Sequence, residues 1–282
     1  MIKPLLITSL SLGTLLSGNE ETDFNSRILP PAETCEIPHM AFQSGESLTY
    51  KVYYNWGSVW LSGGEVYFKL AQEDLNGVPV LHASGEATSY KSFDWLFKVR
   101  DKVDTYMNSE TLQSYKFSRD VYEGGYTFYR SYIWDRDKNI IYSYHDNRKG
   151  KKGTKTITNV DPCGVDLLST FYWMRTLDLT NAKKGDKIPV KMAIDDAEYD
   201  MYVRYDGKET YETKLGTFNC IKLKPLLQEG EIFKEGEGMT IWLTDDDNRI
   251  PVRVESDLAV GRITCDLKSY GGNKYPFTSK VK

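Results

Sequence analysis

Ser47-Leu48-Thr49-Tyr50-Lys51-Val52-Tyr53-Tyr54 sets large apolar or aromatic side chains against polar ones, and Glu65-Val66-Tyr67-Phe68-Lys69-Leu70 does so again after a break at Gly63-Gly64. Every second side chain of an extended chain falls on the same face, so this period describes a strand with one wet and one buried side. The rhythm runs from Glu46 to Tyr270 and is interrupted by Gly, Asn or Asp at turn-like spacing. It predicts strands near 46–56, 59–71, 78–88, 99–107, 111–121, 126–135 and 139–145. A second series follows near 187–194, 199–206, 208–215, 217–226, 238–244, 250–257 and 260–269. Asn76-Gly77, Gly124-Gly125, Asp206-Gly207 and Leu215-Gly216 supply tight-turn chemistry between neighbours. The fold class is therefore mainly β, an antiparallel meander.

One stretch leaves the period of two. In Asp161-Pro162-Cys163-Gly164-Val165-Asp166-Leu167-Leu168-Ser169-Thr170-Phe171-Tyr172-Trp173-Met174-Arg175, residues Leu168, Phe171, Tyr172 and Arg175 recur at helical spacing. This predicts one helix over about 162–178, with Asp161 capping its free N–H groups and Pro162 at its first position. Aromatic on most sides, the helix is expected to be buried against the sheet.

The chain has 282 residues, 13% of them aromatic and 27% charged, with a net charge of -4. That is enough chain for a sizeable core, and too little net charge to create a general field for nucleic acid or an anionic membrane. Lys3 followed by an apolar centre from Leu5 to Leu16 reads as a signal peptide over 1–18, too short to span a bilayer. The position after Gly18, where a lipidated cysteine would stand, holds Asn19, so lipid anchoring is not supported. Residues 19–34 read as a flexible leader, 35–275 as a single β-rich domain and 276–282 as a C-terminal tail. Export permits disulfides. Cys35, Cys163, Cys220 and Cys265 allow three pairings, among which sequence does not choose. The one carried forward joins Cys35 to Cys163, leaving the other two as buried thiols.

The order of Gly45-Glu46-x-Leu48-x-Tyr50, Gly63-Gly64, Val99-Arg100-Asp101, Asp166-Leu167-Leu168-Ser169, Lys184-Gly185-Asp186, Leu215-Gly216-Thr217-Phe218, Trp242-Leu243-Thr244-Asp245-Asp246 and Arg249-Ile250-Pro251-Val252 resembles the domain-of-unknown-function 3108 family, exported proteins of Gram-negative envelopes. The likeness covers nearly all of the chain after Cys35. It implies a curved antiparallel sheet, a half-barrel or two-sheet meander, and a periplasmic or otherwise exported location. No activity or catalytic residue comes with it.

Chemistry is sparse. His39, His82 and His145 have no ligand spacing, there is no Cys-x-x-Cys pair and no Gly-x-Ser-x-Gly elbow, so no metal, cofactor or catalytic residue is expected. Asp245-Asp246-Asp247-Asn248 lacks the interleaved ligands of a calcium loop and reads as a strand turn. The basic run Arg148-Lys149-Gly150-Lys151-Lys152-Gly153 reads as a solvated loop. Aromatics are the better lead, because pairs such as Tyr53-Tyr54 and Phe128-Tyr129 put rings on both faces of a strand. The reading carried forward is a non-enzymatic envelope protein that binds a lipid or lipoprotein segment on a concave sheet face, through Trp56, Trp60, Trp95, Phe97, Phe171 and Trp173. The bland counterpart is a second face covered by the helix, another sheet or an envelope partner, which makes the protein structural. A glycan-binding or glycan-processing role is the third reading. Nucleic acid is not expected as a partner, nor a transmembrane segment in the mature chain.

Overall fold

The computed structural model describes residues 35–56, 59–226, 236–258 and 261–281. The expected signal peptide and leader lie outside them. Strands β1 (Ser47–Trp56), β2 (Val59–Leu75), β3 (Val78–Ser89), β4 (Arg100–Met107), β5 (Ser114–Glu123), β6 (Tyr126–Asp135), β7 (Ile140–Asp146) and β8 (Lys152–Thr158) form the first series. After β9 (Val165–Asp166) and helix α1 (Leu167–Trp173) come β10 (Lys187–Ile194), β11 (Ala197–Thr213), β12 (Gly216–Pro225), β13 (Met239–Thr244), β14 (Pro251–Asp257) and β15 (Arg262–Gly271). All join one sheet in the order β8 to β1, then β15 back to β9. Two meanders thus meet where β1 pairs with β15, and every neighbouring pair is antiparallel except β9 with β10.

Cross-strand partners share a face, so the register assigns each side chain to one side of the sheet. Leu48, Tyr50, Val52 and Tyr54 lie on one side of β1, opposite Phe68 and Val66 on β2 and Leu267, Cys265 and Ile263 on β15. Leu48, Tyr50 and Leu267 are buried, which marks this as the inner, concave side. Gly63 is skipped in the pairing of β1 with β2, a bulge that increases local twist. At Gly64 any side chain would run into the backbone of Thr88 and Ser89, so only glycine lets β2 and β3 approach there.

The helix occupies the hollow, but its start differs from the predicted one. Asp161 accepts the Cys163 N–H in a local turn at 2.8 Å, whereas Asp166 caps the helix, accepting the Ser169 N–H at 2.8 Å. The helical part is Leu167–Trp173, followed by a tighter turn at Met174–Thr176. The predicted break at Asp206-Gly207 is a bulge inside one long strand, β11, with Gly207 at positive φ. β8, of which the sequence reading gives only Lys152-Gly153 to a loop and the rest to no element, is a short edge strand with lysines at Lys152 and Lys155.

The Asp166 carboxylate also accepts hydroxyls from Thr105 at 2.6 Å, Ser114 at 2.5 Å and Ser169 at 2.8 Å, tying the helix start to β4 and β5. At its other end Arg175 makes a fully buried two-pronged ion pair with Glu46, at 2.6 and 2.7 Å, and donates to the Asn248 carbonyl. Arg136, buried, donates to the carbonyls of Ser114, Pro162 and Gly164. Cys35 and Cys163 form a disulfide with Cα atoms 5.5 Å apart, while Cys220 and Cys265 are free. The C-terminal stretch lies against the sheet: Phe277 packs near Phe218 and Tyr270, and the Ser279 hydroxyl donates to Asp246 at 2.7 Å.

Candidate ligand-binding hollow

Along the inner face, burial falls off toward one end of the sheet, the end at which β1 passes to β2, β3 to β4, β5 to β6 and β7 to β8. On β1, Leu48 and Tyr50 are buried but Val52 and Tyr54 only half so; on β15 the change comes between Leu267 and Ile263, and on β14 between Val252 and Val254. On β6, Tyr132 is buried while Phe128 is half-buried, although Val121 opposite it on β5 stays buried. One end of the hollow is therefore packed by the helix and the other is open.

Phe171 and Trp173 stand between the two. Phe171 stacks on Phe68 with ring centroids 4.7 Å apart, and Trp173 touches the apolar clusters on both halves of the sheet, yet both rings keep part of their surface free. They form the floor of the open half. The walls are apolar: Val52, Val66, Val103, Val254 and Ile263 all face inward and are half-buried.

A few polar groups interrupt this lining. Asp101 faces inward from β4; burial pushes its carboxyl up to about 7, with the neighbouring charge of Glu123 adding to the effect and the Tyr122 N–H and Arg119 opposing it. Arg119 and Arg130 are directly opposed across β5 and β6, and both guanidinium groups lie over the Phe128 ring, at 4.7 and 5.8 Å. Arg130 is held by Asp195 and Asp196 at the tip between β10 and β11, which reaches across the hollow. The Ser256 hydroxyl, opposite Ile263, is buried with no partner among the described residues.

The other predicted aromatics are not in the hollow. Trp60 shares the outer face with Tyr53, and Trp95 and Phe97 sit in the loop joining β3 to β4, all three well exposed. The side chain of Trp56 is outside what the structure describes. Asp101, Arg119, Phe128 and Arg130 were not among the predicted residues, although counting in twos from Phe117 or Thr105 puts them on the inner face. Among the described residues no three His, Cys, Asp or Glu side chains are placed to hold a metal ion. His82 is bridged by Glu73 and Asp104, each at 2.8 Å, and stacks on Tyr106. Asp246 accepts from Thr244, Asn248 and Arg249 within its turn.

A separate shallow groove of about 550 Å³ lies on the outer side of β6 to β8, lined by Tyr129, Tyr144, Asp146, Arg148, Gly150 and Lys152. No helix among the described residues is long and apolar enough to cross a membrane.

The model of one protein family, described as "Protein of unknown function (DUF3108)", matches residues 49–268. No curated protein matches the chain. Among solved structures, a β-barrel-like protein of domain of unknown function DUF1849 from Brucella abortus superposes with a TM-score of 0.54 at 8% identity, over 83% of this chain and all of that one. A "putative lipoprotein" from Parabacteroides distasonis covers 85% of this chain and all of its own length at 15% identity, with a TM-score of 0.31. At these identities the first likeness speaks to fold alone, and the second carries no argument.

Proposed function

The chain belongs to the DUF3108 family of proteins of unknown function, and on that premise we propose that it is an exported envelope protein that holds an apolar or amphipathic ligand, a lipid or lipoprotein segment, in the open half of its hollow. The observation that carries this is the fall in burial along the inner face. Apolar side chains that stop packing against one another while still facing inward leave a concave surface that water wets at a cost, and an acyl chain removes that cost. Phe171 and Trp173 form its floor. The Cys35–Cys163 disulfide supports export, since such bonds persist in oxidising compartments.

Lipid extraction and native mass spectrometry of the purified protein test the reading. A bound lipid is expected in the parent chain and not in Val103→Trp, where the indole fills the space beside Phe68. A parent chain that carries nothing and does not take up an added fatty acid overturns it.

The outer groove supports a glycan-binding alternative, because Tyr129 and Tyr144 place two rings 6.2 Å apart beside Asp146 and Arg148. Glycan processing has less support. Asp101 and Glu123 lie near each other on one face of adjoining strands, rather than facing each other across a cleft as the paired carboxylates of glycosidases do.

A further inference from the structure

Six of the ten large apolar side chains that stand exposed among the described residues lie at one end of the molecule: Val59, Trp60, Trp95, Leu96, Phe97 and Tyr126. They come from three successive hairpin connections, β1 to β2, β3 to β4 and β5 to β6. Trp95 is 81% exposed and Trp60 54%. The connections are held to one another. The Gly124 N–H donates to the Lys98 carbonyl at 2.9 Å, the Tyr90 N–H to the Gly63 carbonyl at 2.9 Å, and a side chain at Gly124 would meet the Phe97 ring at 2.5 Å.

Among the described residues, the tips at this end carry a surplus of positive charge. Lys91 and Lys98 flank the Trp95-Leu96-Phe97 tip, and Lys149 and Lys151 occupy the neighbouring β7 to β8 tip. All four are exposed and join no ion pair among the described residues. Of the acids nearby, Asp94 pairs with Arg100, Asp120 with Arg148 and Asp146 with Lys152, which leaves Glu123 at the β5 to β6 tip outside the ion pairs. At the opposite end the exposed acids Asp74, Glu110, Asp137 and Asp247 outnumber the exposed Lys274 and Lys280 that join no ion pair among the described residues.

We propose that this end is a membrane-docking rim that seats the protein on a bilayer rich in anionic headgroups. Indole and phenol rings prefer the headgroup level of a bilayer, where the apolar body enters and the polar edge stays wet. Lysines beside them meet the negative surface. Rings that project separately from several tips enter a fluid interface one by one, whereas a protein partner would need a matching pocket for each. The acidic far end is repelled by the same surface, so the charge distribution also fixes the orientation. The rim faces the end at which the hollow is open, but docking does not depend on the hollow being filled.

The test is co-sedimentation of the full chain with vesicles of phosphatidylglycerol mixed with phosphatidylcholine, and with vesicles of phosphatidylcholine alone. The expected result is that Trp95→Asp/Phe97→Asp loses about tenfold or more in partitioning, and Lys91→Glu/Lys98→Glu loses the preference for the anionic vesicles. Val281→Asp, at the far end and with an exposure between those of Phe97 and Trp95, serves as control with unchanged binding. Circular dichroism of each variant reports whether the sheet is intact. Equal partitioning of the folded Trp95→Asp/Phe97→Asp variant and the parent overturns the proposal, as does stable capture of a protein partner by the rim in the absence of vesicle binding. A protein that docks but extracts with no lipid leaves the rim standing and removes the cargo reading alone.

Discussion

Asp101 is the residue whose chemistry departs furthest from its sequence context. In an alternating strand it reads as a wet-face acid, yet the register turns it inward, where burial pushes its carboxyl up to about 7. The raised value means that between about pH 4 and pH 7 the folded chain keeps a proton that the unfolded chain has released, so stability falls as pH rises through that window. Asp101→Asn removes the titration. The variant is expected to be more stable than the parent at pH 8, by about 1–2 kcal/mol after allowance for solvent screening, and nearly equal to it at pH 4. Urea denaturation at the two pH values checks this. Arg175 shows the limit of sequence at this scale: helical spacing places it beside Leu168 and Tyr172, but no local pattern reveals that its partner is Glu46, 129 residues away.

Elements were legible where periodicity was long and local chemistry agreed with it. The paired strands around β1 and β2 satisfy both conditions, and the structure has them where the alternation puts them. Errors arose where one residue type serves two geometries. Asp206-Gly207 suits a hairpin turn and also a bulge, and the partner strand β12 running straight past it decides for the bulge. Asp161-Pro162 has the chemistry of a helix start, but Asp166 wins because its carboxylate finds three hydroxyls and an N–H at once. Asp166→Ala therefore removes a cap and strands those hydroxyls in the core. A loss of about 2–4 kcal/mol is expected, read from the urea midpoint, against about 1 kcal/mol for an ordinary surface cap. The site aromatics divide for a related reason. Phe171 and Trp173 lie on a helix whose burial is set by its own pattern, whereas the loop around Trp95 has too little periodicity to say whether a ring points in or out.

At the scale of the molecule, a sheet that curls this far must be fastened where its ends meet. The β10–β11 tip reaches inner-face groups on β6 to β8 through Asp196, which donates its N–H to the Tyr132 hydroxyl and accepts at its carbonyl from Lys155 at 2.8 Å. At the helix-filled end, Arg136 and the Cys35–Cys163 disulfide fasten the segment ahead of β9 to β5 and to the entry of the chain. The cross-link spans 128 residues, so in the chain-entropy account its loss releases an unfolded state worth about 5 kcal/mol, with about 3–5 kcal/mol to be expected in practice. The fastening is remote from the open half of the hollow and from the aromatic rim. Loss of the cross-link, in Cys35→Ser/Cys163→Ser or in the parent under reductant, should therefore lower the thermal midpoint, while at temperatures well below that midpoint the still-folded chain partitions onto anionic vesicles as before. Thermal melts and vesicle co-sedimentation on one reduced sample separate the two effects. Loss of docking at full folded population would mean that the closure of the sheet, and not the loops alone, shapes the rim.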